Sequence, residues 1–292
     1  MRPEMPIKNL EGIKEFDIDP HWHENRPKGI SAYLRARGDE RWIGNTVESI
    51  LPFFDEIVVT IDDIDRSVQI LKNFHNAKIK IFDYPYRLRA FGPGYDKLQA
   101  DSLHSFAYYT NWSVSKTMYS HVCCWDADMI MLPWFYAEKE RFLNKNVVRF
   151  RGYDVTTPDF KRMSKQHPFS GPEARLRKVY PYIYYRQFPR FEGLNYEGLA
   201  QLFSWPQWKN YPKCNVKRTL NYFTRKDIKV MKPAFLHCKF IKDYWKKKFE
   251  NDGNVDWVNS QYHRHQADME KPGDVINERI PEIAFKKPED YL

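Results

Sequence analysis

The sequence has no long apolar run, and none of its hydrophobic stretches approaches the ~20 residues that a helix needs to cross a bilayer. Residues 1–28 are charged and contain prolines, without the apolar stretch of a secretory signal. From these two absences we predict an irregular leader over 1–28 and a cytoplasmic location. Material for a core is ample, because 42% of the 292 residues are hydrophobic and 16% are aromatic.

The motifs of several common sites are also missing. No Gly-x-Gly-x-x-Gly follows the first predicted strand, which argues against a dinucleotide redox cofactor, and the absence of a P-loop disfavours an NTPase. The four cysteines include no Cys-x-x-Cys pair, which disfavours a zinc site. Reduced thiols in the core are the simpler expectation and agree with a cytoplasmic location.

The net charge of +9 is distributed unevenly along the chain. Residues 1–138 have a net charge of −4, and residues 139–292 have a net charge of +13. An acidic half suits a cation site. A basic half suits an anionic ligand, an acidic acceptor or a peripheral contact with a membrane surface, and on charge alone it also suits nucleic acid.

Alternating strands and helices are predicted over the first half of the chain. Continuous β-branched runs are typical of parallel strands covered on both faces, and apolar residues at helical spacing follow Asp39. The predicted strands are 29–34, 56–62, 78–82, 121–128, 147–150 and 229–236. The predicted helices begin near Asp39 and after Asp65 and cover 102–119, 134–142 and 239–249. This order predicts an α/β fold with a doubly wound, mostly parallel central sheet flanked by helices, followed by a loop- and helix-rich C-terminal region.

The most informative stretch is 121–131, where Asp126 and Asp128 lie inside an apolar run. Asp-x-Asp also occurs at Asp17/Asp19 and Asp63/Asp65, but only this third copy is flanked by core-like residues. Positions i and i+2 of a strand share a face, so a continuous strand would place both carboxylates on one side. Two such anions repel each other unless a cation lies between them, which predicts a divalent metal that bridges to a phosphate.

Residues 37–43 and the run 49–59, Ser-Ile-Leu-Pro-Phe-Phe-Asp-Glu-Ile-Val-Val, resemble the opening of family-2-type glycosyltransferases with the GT-A fold. Members of that family show a similar Ser-x-Leu/Ile-Pro-x-x-Asp-Glu-Ile-Val-Val run, an Asp-rich turn and a later Asp-x-Asp. The resemblance covers roughly residues 30–135 and becomes patchy to about 250. It implies a GT-A-like fold with a nucleotide-sugar-binding half at 29–135, an acceptor-side half of the same domain at 136–270 and an extended tail at 271–292.

The same resemblance implies roles for individual residues. Donor-side contacts are expected from residues at the strand ends, in the acidic turn, on the third helix and in the Asp-x-Asp. The expected donor-binding residues are Arg35, Arg37, Asp62, Asp63, Asn111, Lys116 and Asp126. The expected metal ligands are Asp126, Asp128 and His237. The candidates for the base that activates the acceptor are Glu197, Asp154 and Glu192.

The implied reaction is transfer of a sugar from a UDP- or GDP-linked donor to a hydroxyl of a glycan, lipid-linked or protein acceptor. Mn²⁺ or Mg²⁺ would stabilise the leaving diphosphate, with Lys116, Arg175 or Arg177 as further cations. A base on the opposite face predicts inversion at the anomeric carbon. Nucleic acid is not expected as a partner. Two alternatives stay open: a metal protein that binds nucleic acid or processes phosphodiesters, and a non-catalytic GT-A scaffold.

Overall fold

The computed structural model describes residues 7–62, 65–88, 98–99, 101–157, 160–165, 167–180, 183–187, 192–196, 227–238, 275–276 and 286–292. The side chains of 62, 183–184, 186–187 and 192–196 are outside this description. Asp63, Glu197 and the predicted helix 239–249 therefore lie outside the described residues. None of the helices within the described ranges has the length and hydropathy of a bilayer-spanning segment.

Twelve strands form three sheets in the described part of the chain. The strands are β1 Ile30–Arg37, β2 Glu56–Asp62, β3 Ile79–Asp83, β4 His121–Asp126, β5 Met129–Met131, β6 Val147–Phe150, β7 Tyr153–Asp154, β8 Glu173–Lys178, β9 Ile183–Gln187, β10 Glu192–Tyr196, β11 Asp227–Val230 and β12 Phe235–His237. The central sheet has seven strands in the order β11-β6-β8-β4-β1-β2-β3. Two small sheets have the orders β5-β12-β7 and β10-β9.

The central sheet is mostly parallel, as predicted. Strands β3, β2, β1 and β4 run parallel to one another, and β11 runs parallel to β6. Only β8 is antiparallel to its neighbours, β4 and β6. The predicted class, an α/β fold with a mostly parallel sheet between helices, is confirmed.

Helices cover both faces of this sheet. The helices are α1 Ile43–Ile50, α2 Ser67–Asn73, α3 Phe106–Ser115 and α4 Lys139–Phe142, with short 3₁₀ turns at Lys14–Phe16, Pro133–Glu138 and Pro288–Tyr291. Apolar side chains of α1 and α2 pack in one core with Leu34 of β1 and Val59 of β2. On the opposite face, Val114 of α3 packs against Tyr33 of β1. Successive residues of β1 therefore serve two cores, which explains its unbroken apolar run.

Local chemistry accounts for several element boundaries. The helix predicted at 102–119 is shorter, because the Ser105 hydroxyl accepts hydrogen bonds from the Ala107 and Tyr108 amides and so starts the helix there. The second helix begins after Asp65, as predicted, and the Asp65 carboxylate accepts a hydrogen bond from the Ser67 amide at the start of α2 (2.9 Å). The helix predicted from Asp39 begins only at Ile43.

The central run differs from its prediction in one important respect. The strand ends at Asp126, Ala127 and Asp128 form a turn, and β5 then leaves the central sheet for the small β5-β12-β7 sheet. The premise of one continuous strand through both aspartates is wrong. Their common placement thus cannot be argued from strand alternation.

The segment after residue 153 is less loop-like than predicted. It contains β7, β8, β9 and β10, and β8 inserts between β4 and β6 of the central sheet. The sequence of β8, Glu-Ala-Arg-Leu-Arg-Lys, is too charged to indicate a central strand. Both of its arginines are nevertheless buried, because other parts of the fold surround them. The predicted strand 229–236 is likewise two strands, β11 and β12, which belong to different sheets.

Candidate functional site

The candidate site lies where β1 and β4 end side by side. In the parallel register Arg35 of β1 is the partner of Asp126 of β4, and Arg37 is the partner of Asp62 at the end of β2. The carboxyl ends of adjacent parallel strands are the usual place for ligands in open α/β sheets. Three strand ends therefore bring charged residues to one edge of the sheet, as the sequence predicts.

Asp126 is held between two guanidinium groups. Its Oδ2 accepts a hydrogen bond from Arg175 Nη1 at 2.9 Å, and its Oδ1 lies 3.4 Å from Arg35 Nη2. Burial by itself raises the pKa of Asp126, but the charges of Arg175 and Arg35 outweigh it and hold that pKa well below its ordinary value. Asp126 is therefore an ionised carboxylate whose charge is already balanced by protein cations.

Arg35 also connects this cluster to the N-terminal half of α3. Its Nη1 donates a hydrogen bond to Thr110 Oγ1 at 3.2 Å, and its guanidinium lies over the Phe106 ring at 4.6 Å. Arg175 is equally constrained, since its Nη2 lies 2.8 Å from a carboxylate oxygen of Glu173. The two arginines are thus fixed by several contacts each, and a phosphate placed beside them would meet preorganised donors.

Asp128 belongs to a second cluster, formed with His237 and Asp154. His237 Nε2 lies 3.5 Å from Asp128 Oδ1, and His237 Nδ1 lies 3.1 Å from Asp154 Oδ1. The backbone reinforces the arrangement, because the Cys238 amide donates to the Asp128 carbonyl at 2.9 Å. All three side chains are buried. The imidazole therefore lies between two carboxylates.

These residues fit a metal only in part. Asp128 Oδ1 and His237 Nε2 have the separation of two neighbouring ligands on one ion, which for metal–ligand distances of about 2.1 Å is roughly 3–3.5 Å. Within the described ranges, however, no group of three or more His, Cys, Asp or Glu side chains is arranged to hold an ion. Two protein ligands completed by substrate phosphates are the usual pattern for a Mg²⁺-type ion. Asp126, with both oxygens on arginines, contributes charge beside this pair.

Asn111 and Lys116, both expected on the donor side, have structural contacts. The Asn111 amide donates to the Tyr185 carbonyl (2.9 Å) and its oxygen accepts from the Tyr185 amide (2.7 Å), which docks β9 against α3. The Lys116 ammonium lies over the Trp112 ring at 4.9 Å, at the end of α3 opposite Arg35 and Phe106. Burial lowers the Lys116 pKa.

For the remaining candidates the structure describes mainly the backbone. Arg37 and Asp62 end their strands side by side, and the Arg37 amide donates to the Asp39 carboxylate at 2.8 Å. Glu192 begins β10, and its side chain lies outside the described set, as do Asp63 and Glu197 entirely. The pairing of Asp154 with His237 is the feature that sequence reasoning missed. Because 83 residues separate the two positions, no local pattern signals their contact.

No family model matches the chain, and no curated protein matches it. Among solved structures, residues 1–349 of TarS from S. aureus align with a TM-score of 0.40 and 11% identity, over 82% of this chain and 70% of that one. A second structure of TarS aligns with a TM-score of 0.39 and 11% identity, over 82% of this chain and 42% of that one. Glucosyl-3-phosphoglycerate synthase from Mycobacterium tuberculosis, in complex with Mn²⁺, UDP and phosphoglyceric acid, aligns with a TM-score of 0.29 and 19% identity over 44% of each chain.

These similarities are too distant to identify an activity. With TM-scores of 0.40 and below, they do not tell what this chain binds or which reaction it catalyses. The features that bear on function are the side chains at the carboxyl ends of β1 and β4 and the imidazole between Asp128 and Asp154.

Proposed function

We propose that this protein is a glycosyltransferase that moves a sugar from a nucleotide-diphosphate sugar to an acceptor hydroxyl, with a divalent metal and with inversion at the anomeric carbon. The donor is UDP- or GDP-linked, and the acceptor is a glycan, a lipid-linked sugar or a protein. The sequence resemblance over residues 30–135 supports this class of enzyme, and the geometry at the strand ends supports the site.

One observation carries the proposal. At a single edge of the sheet, two fixed arginines lie beside a carboxylate–imidazole pair, because Asp126 and Asp128 are only two residues apart but face different partners. Phosphate oxygens need cationic donors on one side and, when they share a metal, oxygen or nitrogen ligands on the other. Asp126 and Asp128 thus have, two residues apart, the cationic donors and the metal ligands that a diphosphate needs.

The described residues divide into distinct roles under this proposal. Asp128 and His237 would hold the ion, and Arg35 and Arg175 keep Asp126 ionised beside the place of the diphosphate. When bound, Mn²⁺ or Mg²⁺ would supply Lewis-acid stabilisation of the charge that develops on the leaving diphosphate. Arg37 and Asp62 end neighbouring strands, and under this proposal they contact the nucleotide together with Asp63.

The base is proposed to be Glu197, with Glu192 as the second candidate. A general base must come within hydrogen-bond reach of the acceptor hydroxyl. Asp154 is only 3% exposed and faces the His237 imidazole, so it does not suit this role. The support for Glu197 is the family resemblance, because the residue itself lies outside the described residues.

Thermal-shift titration with UDP and GDP, with and without Mn²⁺, tests the proposal. A ligand bound only by the folded state at 100 times its Kd adds about 2.7 kcal/mol to the unfolding free energy, which raises Tm by several degrees. We expect one of the nucleotides to do so in a manganese-dependent way. Asp128→Asn is expected to abolish the manganese dependence. Asp19→Asn, an exposed member of another Asp-x-Asp, is the matched control and leaves it intact.

A second measurement separates the proposed function from nucleic-acid binding, which the basic half of the chain also suits. Tight, salt-sensitive binding of DNA or RNA without any response to UDP or GDP would favour the rival function. With a donor that is turned over, the anomeric configuration of the product, read from its NMR coupling constant, tests the predicted inversion.

A further inference from the structure

We propose that Asp154 is a positioning residue for the metal site: it fixes the His237 ring so that Nε2, and not Nδ1, faces Asp128 and the ion. This inference rests on the proposed function, because it assigns a role toward the metal invoked there. It replaces the expectation that Asp154 activates the acceptor.

The contacts of His237 distinguish its two ring nitrogens. Nδ1 lies 3.1 Å from Asp154 Oδ1 and Nε2 lies 3.5 Å from Asp128 Oδ1. A carboxylate accepts but cannot donate, so the 3.1 Å contact favours the tautomer that carries its proton on Nδ1. In that tautomer the lone pair is on Nε2, which is the form of imidazole that binds metals.

The pairing of the strands holds His237 next to both carboxylates. His237 of β12 is the register partner of Asp154 of β7 in a parallel pair and of Met129 of β5 in an antiparallel pair. The Val155 amide also donates to the His237 carbonyl at 3.0 Å. Asp154 therefore lies on β7, on one side of β12, and Asp128 lies in the turn before β5, on the other side of β12.

Burial makes the pairing consequential. Asp154 is 3% exposed and His237 is 6% exposed, so water is not a ready substitute partner for either side chain. Loss of the carboxylate leaves a buried Nδ1 without its partner and allows the ring to flip. Mutation of such an outer partner of a metal-bound histidine typically costs about 10- to 100-fold in metal affinity.

The test measures Mn²⁺ binding to the full chain by EPR, in the presence of UDP or GDP. In the wild-type protein we expect ¹⁴N modulation of the Mn²⁺ echo signal from the imidazole. Asp154→Ala is expected to weaken Mn²⁺ binding by about 10- to 100-fold and to reduce that modulation. Asp154→Asn keeps an acceptor oxygen for Nδ1 and is expected to restore much of the Mn²⁺ affinity and of the ¹⁴N modulation. It also replaces the alanine variant in the test if that variant folds poorly.

Two controls separate positioning from general destabilisation. Thr156→Val changes a buried polar residue two positions away and is expected to leave Mn²⁺ affinity unchanged. In a His237→Gln background, Asp154→Ala is expected to have no further effect on Mn²⁺ affinity, because Asp154 acts on the metal only by orienting the His237 ring.

The outcomes distinguish this inference from the function on which it rests. Wild-type protein that binds no Mn²⁺ with either nucleotide would refute the metal site and the inference together. Wild-type binding with ¹⁴N modulation that Asp154→Ala leaves unchanged would refute the inference alone. An equal loss of affinity in the wild-type and His237→Gln backgrounds would show that Asp154 is merely structural.

Discussion

Asp126 illustrates, at the scale of single residues, how a partly buried charge is accommodated. Its two oxygens face Arg175 and Arg35, and Arg175 also meets Glu173. Removing Arg175, which is 7% exposed, leaves Asp126 with Arg35 as its cationic partner and takes away the shorter of its two ion pairs.

We therefore expect Arg175→Met to lower the unfolding free energy by about 2 kcal/mol. Arg141→Met makes the same change at an exposed arginine, which is paired with Glu138, and is expected to lower the unfolding free energy by less than about 1 kcal/mol. Urea denaturation of both variants measures the difference. Equal small losses would mean that Asp126 finds another partner or solvent.

His121 is a buried histidine on β4, with Nε2 3.0 Å from the Lys145 carbonyl and Nδ1 3.0 Å from the Ser120 hydroxyl. Burial, with the charges of Lys178 and Lys28, lowers its pKa below the ordinary value of 6.5. Below pH 6.5 the unfolded chain therefore binds a proton at this position that the folded chain does not, so stability is lost as the pH falls.

His121→Gln is expected to reduce the fall in unfolding free energy between pH 7.5 and 5.5, although the variant is less stable at the higher pH. His75→Asn, at an exposed position, is the control and is expected to leave the pH dependence unchanged. Denaturation curves at several pH values test this. An unaltered slope in His121→Gln would assign the pH dependence to other groups.

At the scale of elements, the Asp-Glu pair of the family-like run turns out to organise the sheet rather than the site. Asp55 accepts a hydrogen bond from the Ile30 amide, and Glu56 accepts from the Ser31 hydroxyl, the Lys80 ammonium and the Met118 amide. Glu56 alone thus ties β1, β3 and the segment after α3 to the start of β2. These contacts lie at the opposite end of the strands from Asp126.

Glu56→Ala is expected to lower the unfolding free energy by about 2–3 kcal/mol, because it leaves the buried Ser31 hydroxyl and the partly buried Met118 amide without their acceptor. Glu140→Ala breaks an exposed pair with Lys28 at 3.4 Å and is expected to cost less than about 1 kcal/mol. Nucleotide binding by the folded fraction of Glu56→Ala is expected to be unchanged. A large loss of nucleotide affinity at full folding would contradict the assignment of Glu56 to the sheet.

At the scale of the whole molecule, the last described segment, 286–292, closes onto α1 and α2. The Tyr291 ring stacks on Phe74 with centroids 5.5 Å apart, and its hydroxyl donates to Glu48 at 2.8 Å. Gly44 of α1 permits this contact, because a Cβ built there would lie 2.5 Å from the Tyr291 ring. The segment 286–292 is thereby joined to the helices that cover one face of the sheet.

Gly44→Ala is expected to destabilise the protein by displacing Tyr291. In a Tyr291→Ala background the same change is expected to stabilise it by up to about 1 kcal/mol, since alanine has the higher helix propensity and the space is vacant. A double-mutant cycle measured by urea denaturation tests this reversal of sign. Stabilisation by Gly44→Ala in both backgrounds would show that the segment does not close on α1 in solution.

The sequence by itself determined the fold class and much of the sheet, because strands buried on both faces must be continuously apolar. The predicted bounds of β2 and β6 match the structure. The sequence also predicted that Arg35, Arg37 and Asp126 lie at one edge of the sheet, since residues at the carboxyl ends of parallel strands share an edge, and the register places them there.

Only the tertiary structure decided what these residues contact. It separated Asp126 from Asp128 by a turn, inserted the charged strand β8 beside β4, and brought Asp154 to His237 across 83 positions. None of these follows from periodicity, because each depends on contacts between residues far apart in the chain. Local sequence sets which face a side chain presents, while the partner on that face is chosen by the packing of the whole chain.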